Sequence, residues 1–332
     1  MTKKTILIFG PTVVGKTKLA IELAEQLNGE IISADSMQVY RGMDIGTAKP
    51  TIEERQVIPH HLIDIKNPDE EWTVSDFVGQ VEKLNGQIVQ RRKVPIIVGG
   101  TGLYLWSLLE GFAFPITPED KEVRARLELL SASTLHSQLS NIDPAAAAKI
   151  HTNDKKRIIR ALEVYEVTGK PISELQQKRV AEVFRPPLNG DLKVASTNEE
   201  PRQLVPTLRR DSVAGSYLLI GLDLPRETLY SRINQRVDNM IAKGLIDEVK
   251  GLLAKGYSKE LRSFQALGYK EVVQYLAGLW TKEKMIEELK KRTRNFARRQ
   301  MTWFRRFSDV HWFSPEEKDG IMKLCQERDK KK

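Results

Sequence analysis

The stretch Thr5-Ile6-Leu7-Ile8-Phe9-Gly10-Pro11-Thr12-Val13-Val14-Gly15-Lys16-Thr17 decides the fold of this chain. Its first five residues are mostly β-branched or otherwise apolar, which predicts a short buried strand. The next eight match the spacing G-x-x-x-x-G-K-[ST] of a phosphate-binding loop, or P-loop. Residues 18–27 then repeat apolar side chains at helical spacing. Because strand, glycine-rich loop and helix follow in the order that the motif requires, the loop is predicted to bind a diphosphate or triphosphate group.

The residue types of this loop explain the prediction. Gly10 and Gly15 allow the backbone to turn its N–H groups around an anion, and the following helix N-terminus adds a partial positive charge. Lys16 is expected to reach the distal phosphates, and the hydroxyl of Thr17 to hold Mg²⁺. The correct flanking elements disfavour the alternative of a glycine turn without a ligand. The motif does not say whether the ligand is ATP or another diphosphate.

Composition bounds the class of protein. The chain has 332 residues, 40% of them hydrophobic and 29% charged, which predicts a soluble globular protein of two domains. No run approaches the roughly 18–20 apolar residues of a membrane span. Residues 1–4 precede the P-loop without a cleavage site, so no signal peptide is expected and a cytoplasmic location is predicted. The only cysteine, Cys325, excludes an internal disulfide and a multi-cysteine metal cluster. The net charge of +9 suggests a polyanionic partner.

Two further predicted strands end in polar residues. Residues 30–35 form a strand that ends on the carboxylate of Asp35, and residues 96–98 form one that leads into Thr101 through glycines. Functional groups of doubly wound α/β folds lie at the carboxyl ends of strands, so both side chains are expected near the P-loop. Asp35 could instead cap a helix or bridge magnesium, and Thr101 could belong to a simple strand-to-helix turn. The third strand lacks the aspartate that holds magnesium in P-loop ATPases, which disfavours nucleotide hydrolysis.

Several blocks resemble the tRNA dimethylallyltransferases, a family that moves an isoprenyl group onto an adenosine beside the anticodon. The matching blocks are the P-loop, residues 31–50, 59–64, 94–104, 157–165, 169–170, 232–249 and 298–304. Together the matching stretches cover most of residues 5–176 and 217–313. The ordered combination is far more specific than the P-loop alone.

The resemblance implies an α/β fold, with a P-loop NTPase-like parallel sheet core and an inserted small helical domain. The expected core comprises residues 1–115 and 201–315, the latter with a basic C-terminal helix. Residues 116–200 would form a helical insertion and linker that grips the anticodon stem-loop, and residues 316–332 a tail. Residues 180–215 show no clear match to the family, and their proline, glycine and asparagine content predicts a loop.

The reaction implied is transfer of a dimethylallyl group from dimethylallyl diphosphate to N6 of adenosine 37 of tRNA, with release of pyrophosphate. Asp35 would orient N6 and accept its proton, and Thr101 would bind a phosphate oxygen or help seat the base. The P-loop amides, Lys16, Arg236 and Mg²⁺ would stabilise the leaving group. Arg236 takes this role only through the resemblance, because a solvated basic helix face is otherwise the better interpretation of Arg232 and Arg236.

The resemblance also implies the tRNA contacts. Asp35, Ser36, Met37, Gln38 and Thr101 would surround the target adenosine, while Arg124, Lys156, Arg157, Ile158, Ile159 and Arg160 would contact RNA elsewhere. Two features depart from the family's pattern. Position 156 commonly holds glutamine where this chain has lysine, and Val13-Val14 replaces smaller residues in the loop. Because neither position supplies an essential side-chain donor, activity is expected to survive both changes.

A basic helix is predicted near the C-terminus. Residues 284–307 contain nine lysines and arginines against two glutamates, interleaved with Phe296, Trp303, Phe304 and Phe307. We expect core packing for most of these aromatic rings and RNA-backbone contact for part of the basic face. His60 and His61 lack a partner cysteine or a spaced third ligand, so structural hydrogen bonding is favoured over metal binding.

Two other functions remain open at this point. A P-loop kinase for a nucleoside or another small metabolite would explain the P-loop and Asp35, but not the family blocks, the charge or the inserted domain. A non-catalytic RNA-binding protein would not explain an intact Gly15-Lys16-Thr17 together with Asp35. A monomer without membrane association is expected.

Overall fold

The computed structural model describes residues 5–110, 119–175 and 217–327. The described chain divides after Leu109 into two compact units. Residues 5–109 and 217–327 form the first unit, and residues 119–175 belong to the second. The domain boundaries expected near 115 and 200, and the loop expected at 180–215, fall outside the described residues and stay predictions.

The first unit is built on one parallel sheet of six strands, in the order β3-β2-β4-β1-β5-β6. The strands are β1 (Thr5–Phe9), β2 (Gly29–Ala34), β3 (His60–His61), β4 (Val94–Gly99), β5 (Tyr217–Leu222) and β6 (His311–Phe313). Gly99 is in register with both Phe9 and Ala34, so β1, β4 and β2 end at the same level. This register brings the P-loop, Asp35 and the turn before Thr101 to one edge, and it confirms the predicted α/β class.

Helices cover both faces of this sheet because successive strand side chains point to opposite sides. Ile6 and Ile8 belong to one apolar core, while Leu7 and Phe9 belong to the other. The helices of this unit are α1 (Lys16–Leu27), α2 (Ile52–Val57), α3 (Val74–Gln90), α4 (Gly102–Glu110), α9 (Arg226–Ala242), α10 (Leu245–Ala254), α11 (Tyr269–Leu276), α12 (Lys282–Phe304) and α13 (Lys318–Glu327). Among the described residues, no helix combines the length and apolar character that crossing a membrane requires.

The second unit is helical and has an apolar core of its own. It contains α5 (Lys121–Glu128), α6 (Ala132–Ile142), α7 (Pro144–Ala147) and α8 (Lys155–Thr168). Side chains from α5, α6 and α8, among them Leu127, Leu135 and Leu162, form this core. Ser131 accepts a hydrogen bond from the backbone N–H of Thr134 and so caps the start of α6.

The segment expected to be a tail contains the helix α13. Ile321 and Cys325, four residues apart, lie on one side of this helix and are almost fully buried in the core that also contains α1. Lys318 forms an ion pair of 2.6 Å with Glu22 of α1. The expected tail is therefore wrong for residues 318–327, because a short apolar pattern among charged residues still buries one helix face.

Candidate active site

The P-loop connects β1 to α1 in a shape suited to an anion. Gly15 has a left-handed φ of 108°, and no side chain caps the first turn of α1. The first N–H groups of a helix have no intrahelical acceptor, so this turn presents donors and a positive dipole end. Val13 is also left-handed, with φ 70°. A β-branched residue adopts that conformation only when its surroundings enforce it.

The ammonium group of Lys16 folds back onto this loop. Its Nζ donates hydrogen bonds to the carbonyl oxygens of Gly10 (2.9 Å) and Pro11 (2.8 Å). Burial, reinforced by the positive charge of Arg236, lowers the pKa of Lys16 to about 7, although Asp35 opposes the shift. An anion in the loop would restore the preference of Lys16 for its charged form.

Asp35 and Thr101 lie at neighbouring strand ends and organise the same loop. Oδ1 of Asp35 accepts hydrogen bonds from the backbone N–H groups of Met37 (2.8 Å) and Gln38 (3.3 Å). The hydroxyl oxygen of Thr101 accepts one from the N–H of Ser36 (3.2 Å). Within the described parts of the chain, no group donates to Oδ2 of Asp35. Asp35 thus holds the loop with Oδ1, while Oδ2 takes no part in holding it.

Arg236 is the second cation of this region. No described residue forms an ion pair with its guanidinium, whereas Arg232, one turn earlier on α9, pairs with Glu316 at 3.0 Å. Burial lowers the pKa of Arg236, and the charge of Asp35 works against that shift. A half-buried arginine without a carboxylate partner is suited to an anionic ligand.

Lys16, Asp35 and Arg236 line one cavity of about 380 Å³, and Thr101 follows two of its lining residues, Gly99 and Gly100. Its walls also include Lys49, Phe296 and Gln300, which the sequence interpretation did not assign to the site. Gln300 is nearly buried on the stripe of α12 that otherwise carries residues such as Met285, Leu289 and Phe304. A glutamine on a buried stripe signals a required hydrogen bond, and that signal is readable from the sequence.

The loop after Asp35 is held from both ends. The side chain of Gln38 accepts a hydrogen bond from Ser33 (2.9 Å) and donates to the carbonyl oxygen of Thr47 (3.3 Å). The carboxylate of Glu248, from α10, accepts the backbone N–H groups of Asp44, Ile45 and Gly46 at 2.8–3.2 Å, and it accepts the hydroxyl of Tyr269. The segment from 35 to 50 is thereby fixed as one wall of the cavity.

The donor set at the site suits a metal that is shared with a ligand. No three His, Cys, Asp or Glu side chains come together in the described regions in a way that could hold a metal ion. Thr17 supplies a hydroxyl oxygen to the cavity wall. Mg²⁺ binds in this manner, through one or two protein oxygens together with phosphate oxygens. Nδ1 of His60 bonds the carbonyl oxygen of Ile58 and Nε2 of His61 bonds Glu30, so both histidines make the hydrogen bonds that were expected of them.

The RNA contacts expected on the helical unit fall into three groups. Ile158 and Ile159 are buried in its core, and RNA contact by the segment that contains them stays a prediction. Arg124 and Arg160 both bond to the buried carboxylate of Glu163, with Arg124 using two nitrogens at 2.8 and 2.9 Å. Lys156 and Arg157, the remaining pair, are exposed. Their RNA contacts stay predictions.

Burial alone would raise the pKa of Glu163. Hydrogen bonds from Arg124 and Arg160 outweigh that effect and hold the pKa of Glu163 below its usual value. The N–H of Asp120 adds a third donor at 2.8 Å. This carboxylate therefore stays ionised and ties α5 to α8.

The aromatic rings of α12 divide between core and cavity. Phe304 packs against Phe9 with ring centroids 5.1 Å apart, and Trp303 meets Trp106 edge-to-face at 5.7 Å. Core packing is thus confirmed for these rings, while Phe296 lines the cavity.

Comparison with known proteins places these features in a family. Residues 38–307 match the family model described as IPP transferase, and residues 3–66 match the one described as isopentenyl transferase. The chain belongs to the IPP transferase family. A tRNA dimethylallyltransferase of Carboxydothermus hydrogenoformans is 47% identical over 98% of this chain and 96% of its own length. The resemblance drawn from the sequence blocks is therefore confirmed.

Solved structures of this family share the fold. The full-length tRNA isopentenylpyrophosphate transferase of Bacillus halodurans is 40% identical, with a TM-score of 0.66 over 99% of this chain and 98% of that one. A eukaryotic dimethylallyltransferase, whose crystal structures capture it acting on tRNA, is 32% identical with a TM-score of 0.73. That match covers 94% of this chain and 73% of the eukaryotic one.

Proposed function

We propose that this IPP transferase moves a dimethylallyl group from dimethylallyl diphosphate to N6 of adenosine 37 in tRNA and releases pyrophosphate. The observation that carries the proposal is the single cavity in which Lys16, Arg236 and Asp35 meet. Two cations suit a diphosphate leaving group, and one carboxylate suits an amine nucleophile. The protein is proposed to act in the cytoplasm as a monomer.

The leaving group gains negative charge as its C–O bond breaks. The first-turn N–H groups of α1, the ammonium of Lys16 and the guanidinium of Arg236 would stabilise that charge. The N–H of Thr12 already donates to the side chain of Gln300 at 2.8 Å, so its role is to fix the loop. When bound, Mg²⁺ would be held by Thr17 and would neutralise phosphate charge.

Asp35 is proposed as the general base. N6 of adenine is a weak nucleophile because its lone pair is delocalised into the purine. Oδ2 of Asp35 would accept a hydrogen bond from N6 and take its proton as the new C–N bond forms. Because Oδ1 is fixed by the N–H groups of Met37 and Gln38, the carboxylate keeps its orientation during this step.

The acceptor adenosine must leave its base stack to reach this cavity. Residues 35–38 and Thr101 are proposed to surround the base, because they form the strand ends next to the P-loop. The exposed Lys156 and Arg157 are proposed to contact the anticodon stem-loop, together with Arg124 and Arg160. Arg124 and Arg160 would contact the RNA while they stay hydrogen-bonded to Glu163.

The experiment uses labelled dimethylallyl diphosphate, Mg²⁺ and an unmodified tRNA that contains A36 and A37. Asp35→Asn keeps an acceptor for the loop N–H groups but removes the base, and Asp35→Ala removes both. Asp69→Asn, an exposed position outside the cavity, is the matched control. We expect label on N6 of A37 with wild type and control, and a loss of about 10²–10⁴-fold with Asp35→Asn.

Two results would contradict the proposal. Transfer that is unchanged by Asp35→Asn would keep the reaction but remove Asp35 as base. If folded wild-type protein transfers no label to a competent tRNA, the proposed transferase reaction is wrong. ATP-dependent phosphorylation of a small metabolite would then be tested.

A further inference from the structure

Gln300 is a polar residue on an otherwise mostly apolar buried helix face. Its side chain leaves only 5% of its surface exposed, between Ala297 and Phe304 on the same stripe of α12. An amide buried without partners would destabilise the fold, so its hydrogen bonds define why it is there.

Both ends of this amide are bonded, and to two different loops. Oε1 accepts the N–H of Thr12 in the P-loop at 2.8 Å, and Nε2 donates to the carbonyl oxygen of Gly100 at 2.7 Å. A Cβ at Gly100 would lie 2.3 Å from Nε2, so only glycine permits this approach. Gln300 therefore bridges the loops that follow β1 and β4, two adjacent strands.

Each bonded loop leads to one side of the proposed reaction. Thr12 belongs to the loop that would cradle the diphosphate. Gly100 precedes Thr101, whose hydroxyl accepts the N–H of Ser36, and Ser36 follows Asp35. The bridge from Gln300 thus joins the leaving-group side to the base side through two strand ends.

We propose that Gln300 is a positioning residue that sets the spacing between the diphosphate-binding loop and the strand ends holding Thr101 and Asp35. The assignment of one loop to the leaving group and of the other to the base rests on the proposed function. Displacement requires the nucleophile and the leaving group to lie on opposite sides of the reacting carbon. A misplacement of about 1 Å can lower the rate of such a step by roughly a hundredfold.

Two substitutions separate this role from packing. Gln300→Met keeps the size of the side chain but removes both hydrogen bonds. Gln300→Glu keeps the acceptor for Thr12 but cannot donate to Gly100 while it is ionised, and it adds a negative charge beside the P-loop. When protonated, the introduced carboxyl group could both donate and accept, as the native amide does.

The first measurement is binding of inorganic pyrophosphate to the full-length protein by titration calorimetry between pH 5.5 and 8.5. We expect Gln300→Met to bind roughly 10- to 100-fold more weakly than wild type at every pH. Gln300→Glu should bind much more weakly at high pH and approach wild type as the pH falls. Gln87→Glu, the same change at an exposed position of α3, should follow wild type throughout.

The second measurement is dimethylallyl transfer at saturating substrates. Gln300→Met should lower kcat and raise the KM for dimethylallyl diphosphate, with little change in the KM for tRNA. Thermal unfolding checks that each variant is folded. If Gln300→Met does not fold, the pH dependence of Gln300→Glu decides alone.

Two outcomes would overturn the inference. One is pyrophosphate affinity equal to that of wild type in both variants. The other is a loss in Gln300→Glu, relative to wild type, that does not change with pH, since packing damage has no titration. Pyrophosphate binding needs no transfer step. The pyrophosphate affinities of the variants relative to wild type therefore decide the role of Gln300 even if wild type transfers no dimethylallyl group.

Discussion

The cavity of the α/β unit and the ion-pair cluster of the helical unit use arginine in opposite ways. Arg236 lines the cavity, and no described residue provides it with a carboxylate partner. Arg124 and Arg160 share the buried carboxylate of Glu163. The first arrangement leaves a positive charge at the cavity without a described carboxylate partner, whereas the second neutralises positive charge within the fold. An arginine's role therefore follows from its partners, which the residue type and the helix face do not reveal.

The largest expected effect separates Arg236 from its neighbour. Arg236→Gln should lower the rate of dimethylallyl transfer by about 10²–10³-fold, because one donor to the developing diphosphate charge is lost. Arg232→Gln, one turn earlier and paired with Glu316 at the surface, should stay within about twofold of wild type. Single-turnover rates at saturating tRNA measure both. Equal losses in the two variants would break the comparison.

The next effect concerns the stability of the helical unit. Glu163→Gln leaves Arg124 and Arg160 without their buried counter-charge, which should cost about 3 kcal/mol of unfolding free energy. Glu166→Gln is the matched control on α8. It removes the more exposed pair with Arg126 and should cost less than about 1 kcal/mol.

Hydrogen exchange of residues 121–168 reports this stability locally. Pyrophosphate affinity, measured beside it, should be unchanged in Glu163→Gln, since this carboxylate is not part of the cavity wall. A loss of pyrophosphate affinity without faster exchange would show that the cluster serves the reaction instead of the fold.

Much of the α/β unit follows from local sequence pattern. The P-loop, the strands ending before Gly10, Asp35 and Gly100, and the basic helix α12 were all predictable, because strand and helix periodicities are written within about ten residues. Asp35 could be placed near the P-loop, since parallel strands share one carboxyl edge.

What the sequence left unassigned depends on long-range contacts. Gln300 meets Thr12 across 288 positions of sequence, and no local pattern encodes such a meeting. Glu163 looks in the sequence like any charged residue of a helix. Its burial and its hydrogen bonds to Arg124 and Arg160 appear only in the folded unit. Strand β3 has two residues, too few for any periodicity. Ile158 and Ile159 were carried over with a motif, although their apolar character already indicated a core position.

The pH dependence of pyrophosphate affinity tests whether Lys16, a cation of the cavity, becomes charged when the ligand binds. Burial and the charge of Arg236 bring the pKa of Lys16 to about 7 without ligand, and pyrophosphate would raise it again. Below pH 7 Lys16 is already charged, so the protein binds pyrophosphate with its full affinity. As the pH rises above 7, Lys16 must take up a proton when pyrophosphate binds. The affinity for pyrophosphate should then fall by up to about tenfold per pH unit, relative to a protein whose cation stays charged at every pH.

Lys16→Arg supplies that fixed charge. Its guanidinium stays protonated, so its profile reports only the titration of pyrophosphate itself. The ratio of wild type to Lys16→Arg affinity should decline above pH 7, and calorimetry in two buffers of different ionisation enthalpy should detect the proton. A flat ratio would mean that Lys16 is charged before the ligand arrives.

The smallest effect tests the exposed cations of the helical unit. Lys156 and Arg157 lie at the start of α8, and the ion pair that Arg157 forms in the described part of the chain is with the half-buried Asp154 at 3.3 Å. Each neutralisation, Lys156→Gln or Arg157→Gln, should weaken tRNA binding a few-fold at moderate salt and reduce the salt slope by about one. Lys149→Gln, an exposed lysine of the same unit that no motif includes, is the control. If all three variants lower the salt slope equally, the helical unit attracts tRNA through its overall charge. If only Lys156→Gln and Arg157→Gln do so, these two residues mark the place where the phosphates lie, because counterion release counts only the charges that meet a phosphate.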